Sequence, residues 1–307
     1  MYTIKDKPED FIVKEKSIIK PQNEGKYLYY KLKKKDFTTL KAVETLATFL
    51  KMPLKNLGFA GTKDRKAITE QTISIKDLGQ TQERLTSFNH HDISIEFLGK
   101  GDNPLFLGDL EGNYFEIIVR NADKEPKKID KFVNYFGEQR FSKNNVEVGK
   151  AIIKRDFKKA AESIDHNSVK EYLQDHKTDY IGAIKKLPKK IVSLYIHSYP
   201  SEIWNKTAKE YIKNNKDDTK IPIVGFGIEY EDKEIKKLVK DILKEEKITE
   251  RDFILRELPD FSPEGDYREL FAEVKKLKIE KQDNEYKISF FLPKSCYATE
   301  LVRQMFD

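Results

Sequence analysis

A single cysteine, Cys296, among 307 residues excludes a disulfide framework, a cysteine-based zinc site and a paired-cysteine redox motif. The five histidines (His90, His91, His166, His176 and His197) stand at no metal-ligand spacing such as His-Glu-x-x-His, so no metal is expected. No run approaches the ~18 consecutive apolar residues of a membrane span, and Tyr2 to Phe11 carries no signal-peptide core. The expectation is a soluble, cytoplasmic protein with no membrane partner. A phosphate-binding loop is missing as well. Gly58 and Gly61 are too close together and Thr62 intervenes before Lys63, so nucleotide hydrolysis fails on spacing. There is no internal repeat and no low-complexity tail.

What is abundant is charge. Charged residues make up 36% of the chain, well above the ~25% typical of soluble domains, a richness that suits a heat-adapted protein. The net charge of +6 is compatible with a polyanionic partner without demanding one. With 19 Phe and 15 Tyr the chain can bury a sizeable core, and its length favours two domains.

The patterning is β-rich at both ends and helix-rich between. Phe11–Val13 and Tyr27–Leu32 read as strands, the second running into Lys33-Lys34-Lys35, a charge run of the kind that forms a solvated end. Thr38 or Thr39 caps a helix carrying Leu40, Val43, Leu46, Ala47 and Leu50, and Pro53 ends it. Ile93–Phe97 and Leu105–Leu110 read as strands, Gly112-Asn113 as a turn, and Phe115–Val119 as a further strand. A helix is expected near Pro126, with Ile129, Phe132 and Val133 on one face. Short helices follow from about residue 150 to 257, including 146–154, 157–164, 169–176, 191–213 and 233–246. Lys185, Lys186, Lys189 and Lys190 form a small basic patch, and Trp204 is assigned to the core. Strands return at 275–281 and 287–292, as a hairpin around Asp283-Asn284, before a final helix capped by Ser295.

Two stretches carry chemistry. In Asn56–Gln71, the small residues Gly58, Ala60 and Gly61 lead into Thr62-Lys63-Asp64-Arg65. Cations on both sides of Asp64 favour its charged form, and an ionised Asp at a strand end suits a nucleophile or general base. The competing reading is an Asp that hydrogen-bonds its own turn. The second stretch, Asn134 to Phe141, sets aromatics, amides and a guanidinium around Gly137, a mix suited to stacking on a flat heterocycle. Its competing reading is a helix C-terminus capped by Gly137 with the aromatics packed inward.

Together with two further blocks, these stretches resemble the TruD family of tRNA pseudouridine synthases. The four blocks, in order, are Lys5 with Pro8-Glu9-Asp10-Phe11; Phe59-Ala60-Gly61-x-Lys63-Asp64 through Ala67, Thr69 and Gln71; Asn134-Tyr135-Phe136-Gly137-x-Gln139-Arg140-Phe141; and Leu292-Pro293-Lys294 with Tyr297-Ala298-Thr299. Two positions depart from the pattern: Ser142 stands where Gly follows the Gln-Arg-Phe, and Ser295-Cys296 replaces Gly-Ser. Both bear on local backbone geometry.

The resemblance implies an α+β fold. It would comprise a mixed, mostly antiparallel sheet of pseudouridine-synthase type with helices, forming a discontinuous catalytic domain (1–155 and 261–307), and an inserted helix-rich TRUD-type domain (156–260). It implies isomerisation of uridine to pseudouridine in tRNA, at uridine 13 of the D-arm, with no cofactor. A monomer is expected on separate grounds, since nothing in the sequence suggests a coiled coil or a large exposed apolar face. Asp64 falls on the family's catalytic aspartate. It would attack C1′ or C6 of a flipped-out nucleotide, or take the C2′ proton on a glycal path, and these routes stay open. Lys5 matches the lysine paired with that carboxylate, Phe136 the ring stacked on the target uracil, and Asn134 a nearby amide. Lys63, Arg65 and Arg140 are assigned to phosphate or loop-ordering contacts. A non-catalytic tRNA-binding or RNA-chaperone protein is the alternative, and it has no need of Asp64.

Overall fold

The computed structural model describes residues 2–307 apart from Lys143, Lys216 and Asn284, so the second residue of the expected Asp283-Asn284 turn lies outside the described residues. The chain divides into two compact units, Met1–Phe132 with Glu273–Asp307, and Val133–Ala272.

The first unit holds β1 (Phe11–Ser17), β2 (Tyr27–Lys35), α1 (Thr39–Leu50), β3 (Leu57–Phe59), β4 (Ile68–Lys76), α2 (Thr81–Leu85), β5 (Ile93–Gly101) and β6 (Leu110–Arg120). The chain leaves it within β7 (Lys131–Val133) and, after the second unit, returns within β10 (Phe271–Glu273) to form β11 (Lys275–Gln282), β12 (Glu285–Pro293) and α10 (Ala298–Phe306). The second unit holds α3 (Glu138–Phe141), α4 (Asn145–Ile153), α5 (Phe157–Ser163), α6 (Asn167–Asp175), α7 (Tyr180–Lys185), α8 (Lys189–Tyr211), β8 (Lys220–Ile223), α9 (Lys233–Glu245) and β9 (Asp266–Glu269). Among the described residues no helix is long and apolar enough to cross a membrane.

The main sheet runs β11-β12-β6-β1-β4-β2-β5, with β3 added to β4. Only β1 and β4 within this order run parallel, Val13 lying opposite Thr69; the remaining neighbours are antiparallel. The fold is therefore α+β with a mixed, mainly antiparallel sheet. Strand alternation sends Leu28, Tyr30 and Leu32 of β2 to one face, where they meet Val43, Leu46 and Leu50 of α1 and Ile73 and Ile75 of β4. Burying such side chains contributes about 1.5–3 kcal/mol each. Thr38 is the cap of α1, its hydroxyl accepting from the Lys41 N–H.

Several expected elements are replaced, each for a visible reason. Residues 105–109 are irregular, because Leu105 N–H donates to the Ser74 hydroxyl and Phe106 N–H to the Asp109 carboxylate. Gly112 is no turn residue but lies inside β6, where a Cβ would come within 2.1 Å of the Leu292 carbonyl oxygen. The small residue lets β12 approach. No helix forms near Pro126. Lys127 N–H donates to Met305 and Asp130 O accepts from Val274, so the backbone groups that a helix would use are engaged elsewhere.

The boundaries of the units, 132/133 and 272/273, lie outside the expected 156 and 260. Residues 133–155 pack with the helices: Gly149 of α4 sits where a Cβ would meet the Tyr195 carbonyl of α8 at 2.1 Å, and Phe136 exchanges two backbone hydrogen bonds with the Asn205 amide. At the other end β9 pairs with β8, and Leu270 N–H donates to Thr219. Trp204 is fully buried, its indole N–H donating to the Ile221 carbonyl at 3.0 Å, as its core assignment required.

Ser295, one of the two departures from the family pattern, does not cap α10; Tyr297 holds that position. Ser295 instead has φ of 67°, the left-handed region that favours glycine, the residue the resemblance leads one to expect in the Gly-Ser that Ser295-Cys296 replaces. That conformation costs an L-residue about 1–2 kcal/mol, against about 0.5–1 kcal/mol of extra chain entropy for glycine. Ser295→Gly is therefore expected to raise unfolding stability in urea by about 0.5–1 kcal/mol. A loss of stability would contradict the strained assignment.

Candidate active site

The loop between β3 and β4 is held from four sides. Gly61 O accepts from the Gln71 amide of β4 at 2.9 Å, and the Gln71 side-chain oxygen accepts from the Thr39 hydroxyl of α1 at 2.8 Å. The same hydroxyl accepts from the Lys63 N–H at 2.9 Å. Lys63 Nζ meets Glu15 Oε2 of β1 at 2.5 Å, with the two side chains 6% and 0% exposed. The other Glu15 oxygen accepts from Thr72 N–H at 3.1 Å. Finally Lys34 of β2 donates to the Asp64 main-chain carbonyl at 2.8 Å. Every polar atom in this chain of contacts has a partner, the condition under which a buried network rigidifies its surroundings.

On this platform the Asp64 side chain is a quarter exposed, and Oδ2 lies 3.1 Å from Lys5 Nζ. Oδ1 has no partner among the described residues. Lys5 is fixed in turn: its ammonium lies 4.1 Å from the centre of the buried Phe11 ring, and its φ of 58° is a left-handed conformation that a lysine adopts at a cost. The Pro8–Asp10 turn before Phe11 is anchored by Asp10, which accepts from Arg120 Nη2 at 2.7 Å and Nε at 3.2 Å. Burial raises the Asp10 pKa, but the Arg120 and Lys7 hydrogen bonds outweigh it and hold the carboxyl below its usual range.

The sequence placed Lys63 and Arg65 as the cations flanking Asp64. The structure turns Lys63 to Glu15 and Arg65 to Asp36, at 3.5 Å on the surface, and gives the Asp64 carboxylate Lys5. Lys34 is the residue that sequence reasoning missed. It is only 1% exposed, not part of a solvated end. Alternation supplied the signal: Leu28, Tyr30 and Leu32 all point inward, and Lys34 is next in that series.

The second stretch builds a separate cluster within the helical unit. Gly137 precedes α3 as its N-cap, so it does not close a preceding helix; of the aromatics Phe136 packs inward, and Tyr135 and Phe141 are half-buried. Phe136 is 7% exposed, edge-on to Trp204 at 5.7 Å, with the Arg268 guanidinium 4.2 Å from its ring centre and that of Arg140 at 5.6 Å. Arg268 also clasps Asn134, donating to its side-chain oxygen at 2.7 Å and its carbonyl at 2.9 Å. Arg140 donates to the Ser201 hydroxyl at 3.1 Å. Arg268 carried no sequence signal, because its partner lies 134 positions away. Among the described residues no group of three or more His, Cys, Asp or Glu is placed to hold a metal ion.

An α+β sheet carrying a clamped Asp–Lys pair, interrupted by a helical unit, defines the class, and comparison with known proteins narrows it. The family model for tRNA pseudouridine synthase D (TruD) matches residues 2–171 and 206–305. The chain is 30% identical to tRNA pseudouridine synthase D of Aquifex aeolicus, over 99% of this chain and 97% of that protein. It is 31% identical to a Nanoarchaeum equitans protein assigned to the same enzyme, over 99% and 98%. A crystal structure assigned to TruD of Methanosarcina mazei superposes with a TM-score of 0.74 at 25% identity, covering 99% of this chain and 93% of that one. The chain belongs to the TruD family of tRNA pseudouridine synthases, isomerases that act on uridine in tRNA.

Burial holds the Lys34 ammonium down to about 8, against the attraction of Asp64 and with a further push from Lys63. Below that pH both folded and unfolded chains carry the proton, and the folded state bears the cost of a buried charge. Between about 8 and the unfolded value near 10.4 only the unfolded chain is protonated, so this group's contribution to stability improves as pH rises. Urea unfolding of wild type and Lys34→Met at pH 7 and pH 10 is expected to show wild type gaining on the variant at the higher pH. A difference independent of pH would contradict the assignment.

Proposed function

We propose that the chain isomerises uridine 13 of the tRNA D-arm, with Asp64 as the catalytic carboxylate. The observation that carries this reading is the Asp64–Lys5 pair: one carboxylate oxygen is anchored at 3.1 Å and the other is left open, on a loop clamped by Glu15, Thr39, Gln71 and Lys34. In the reaction the N1–C1′ bond of the uridine breaks and a C5–C1′ bond forms. C5 loses its proton and N1 gains one, so the product is an isomer and no cofactor enters the balance. The target nucleotide must leave the base stack, at a cost of a few kcal/mol that an open loop reduces.

Lys5 orients Asp64 and balances its charge. Phe136 stacks on the uracil, a contact worth ~1–3 kcal/mol, with its ring angle set by Arg268 and Trp204. Asn134 supports that ring's loop through Arg268. Lys63 orders the catalytic loop through Glu15, and Arg65 and Arg140 contact phosphate or order the loops beside them. In functional terms the catalytic domain is the discontinuous one expected at 1–155 and 261–307, and the helical domain between (156–260) is the family's insertion. The protein acts as a cytoplasmic monomer that binds RNA.

The test is carbodiimide-blocked primer extension on unmodified tRNA. Wild type is expected to mark one D-arm uridine without added cofactor, and Asp64→Ala to mark none while still binding tRNA. Marking outside the D-arm would overturn the assigned position. Full marking by Asp64→Ala would remove the carboxylate from the chemistry, and tRNA binding with no marking by either protein would favour the chaperone alternative.

A further inference from the structure

The helix α9 carries its charges in an order that its own fold does not explain. At about 100° per residue, Lys233, Lys236, Lys237, Lys240 and Lys244 fall within an arc of about 100°. Ile235, Val239, Ile242 and Leu243 occupy a second arc, which adjoins the lysines at Lys236, and are buried in the helical unit. Glu234, Asp241 and Glu245 are gathered along one border between the two. All five lysines are exposed.

This arrangement has an electrostatic cost. Lys233/Lys237, Lys236/Lys240 and Lys240/Lys244 are like charges at i,i+4, each of which destabilises an isolated helix. None of the three acidic residues has a lysine four positions later, the more favourable order for an i,i+4 pair; Lys237 and Asp241 stand four apart in the less favourable order. Glu234 and Asp241 lie three residues before Lys237 and Lys244. Even so, among the described residues neither lysine forms an ion pair, nor does Lys233. Two of the five have internal roles: Lys240 pairs with Glu250 at 2.7 Å, and Lys236 and Lys240 lie over the Tyr230 ring at 5.8 and 5.9 Å. The other three project from the surface unanswered.

We propose that this stripe binds the phosphodiester backbone of the RNA substrate, outside the catalytic site. Repeating at each helical turn of about 5.4 Å, the ammonium groups suit a linear array of anionic groups better than a single one. A lipid surface is a poorer fit, because the apolar face that would enter the bilayer is already used inside the unit. The proposal rests on tRNA being the substrate.

The experiment measures tRNA dissociation constants between 50 and 300 mM salt for wild type, Lys233→Gln/Lys237→Gln/Lys244→Gln and a control, Lys20→Gln/Lys26→Gln/Lys55→Gln. The control removes the same charge from exposed positions of the other unit. Thermal melts of all three check folding. The stripe variant is expected to bind about 10-fold or more weakly near 0.1 M salt, with the slope of log affinity against log salt reduced by about 2–3, while the control stays within about 2-fold. Equal losses in both triple variants, or an unchanged slope in the stripe variant, would overturn the proposal. Wild-type binding to phosphatidylglycerol vesicles that the stripe variant loses, with tRNA affinity unchanged, would assign the stripe to membranes. Failure of wild type to bind tRNA would sink the substrate reading itself, and the stripe with it.

Discussion

The buried ion pair between Glu15 and Lys63 is the contact on which the geometry of the candidate active site depends. Both charges are almost wholly shielded from solvent, so each is tolerable only because the other is within 2.5 Å and because Glu15 also accepts a main-chain N–H. Removing one partner of such a pair costs about 3–5 kcal/mol, since the survivor is left charged in a dry site. The pair therefore ties the loop before β4 to the middle of β1, and the loop's next residue is Asp64. The remaining clamps add direction. Thr39 and Gln71 fix the backbone at Gly61 and Lys63, and Lys34 takes the Asp64 carbonyl. A flexible turn would present its carboxylate in many poses. This one presents a single oxygen, with the other held by Lys5.

The cationic residues in this region divide their work in a way that charge counting does not reveal. Lys63 adjoins Asp64 in sequence yet stabilises the scaffold, whereas Lys5, far away in the chain, pairs with the carboxylate. Lys34 holds the Asp64 carbonyl and has its proton loosened by burial. In the helical unit Arg268 plays a comparable part, holding the Asn134 amide and covering the Phe136 ring with one guanidinium. Planar, multiply donating and always charged, Arg suits that double contact better than Lys would.

The parts legible from sequence were those set by local rules. Thr38 capped its helix, the apolar spacing of 233–246 gave a helix, and the alternating ends gave strands. The roles proposed for Asp64, Lys5 and Phe136 rest on motif order, not periodicity. Local reading failed wherever a distant partner overrode it. Gly112 looked like a turn residue because the close approach of Leu292 is invisible in the sequence, and the segment after Pro126 looked helical because its pairing with Met305 and Val274 is long-range. The compact helical unit begins before the expected insertion for the same reason, since residues 133–155 are joined to α8 through Gly149 and Asn205. Lys34 was the instructive miss, its inward alternation masked by two charged neighbours.

The central claim is that the Glu15–Lys63 pair sets the position of Asp64, the carboxylate proposed to be catalytic. Single-turnover rates on saturating tRNA for Glu15→Gln and for the neutral double variant Glu15→Gln/Lys63→Met test it most directly, with tRNA affinity and melting temperature measured alongside. The account predicts a rate at least about 10-fold below wild type in both variants at unchanged affinity, including in whichever remains folded at the assay temperature. A fully folded double variant that reacts at the wild-type rate would contradict it, and Asp64 would then owe its position to Lys5 and Lys34 alone.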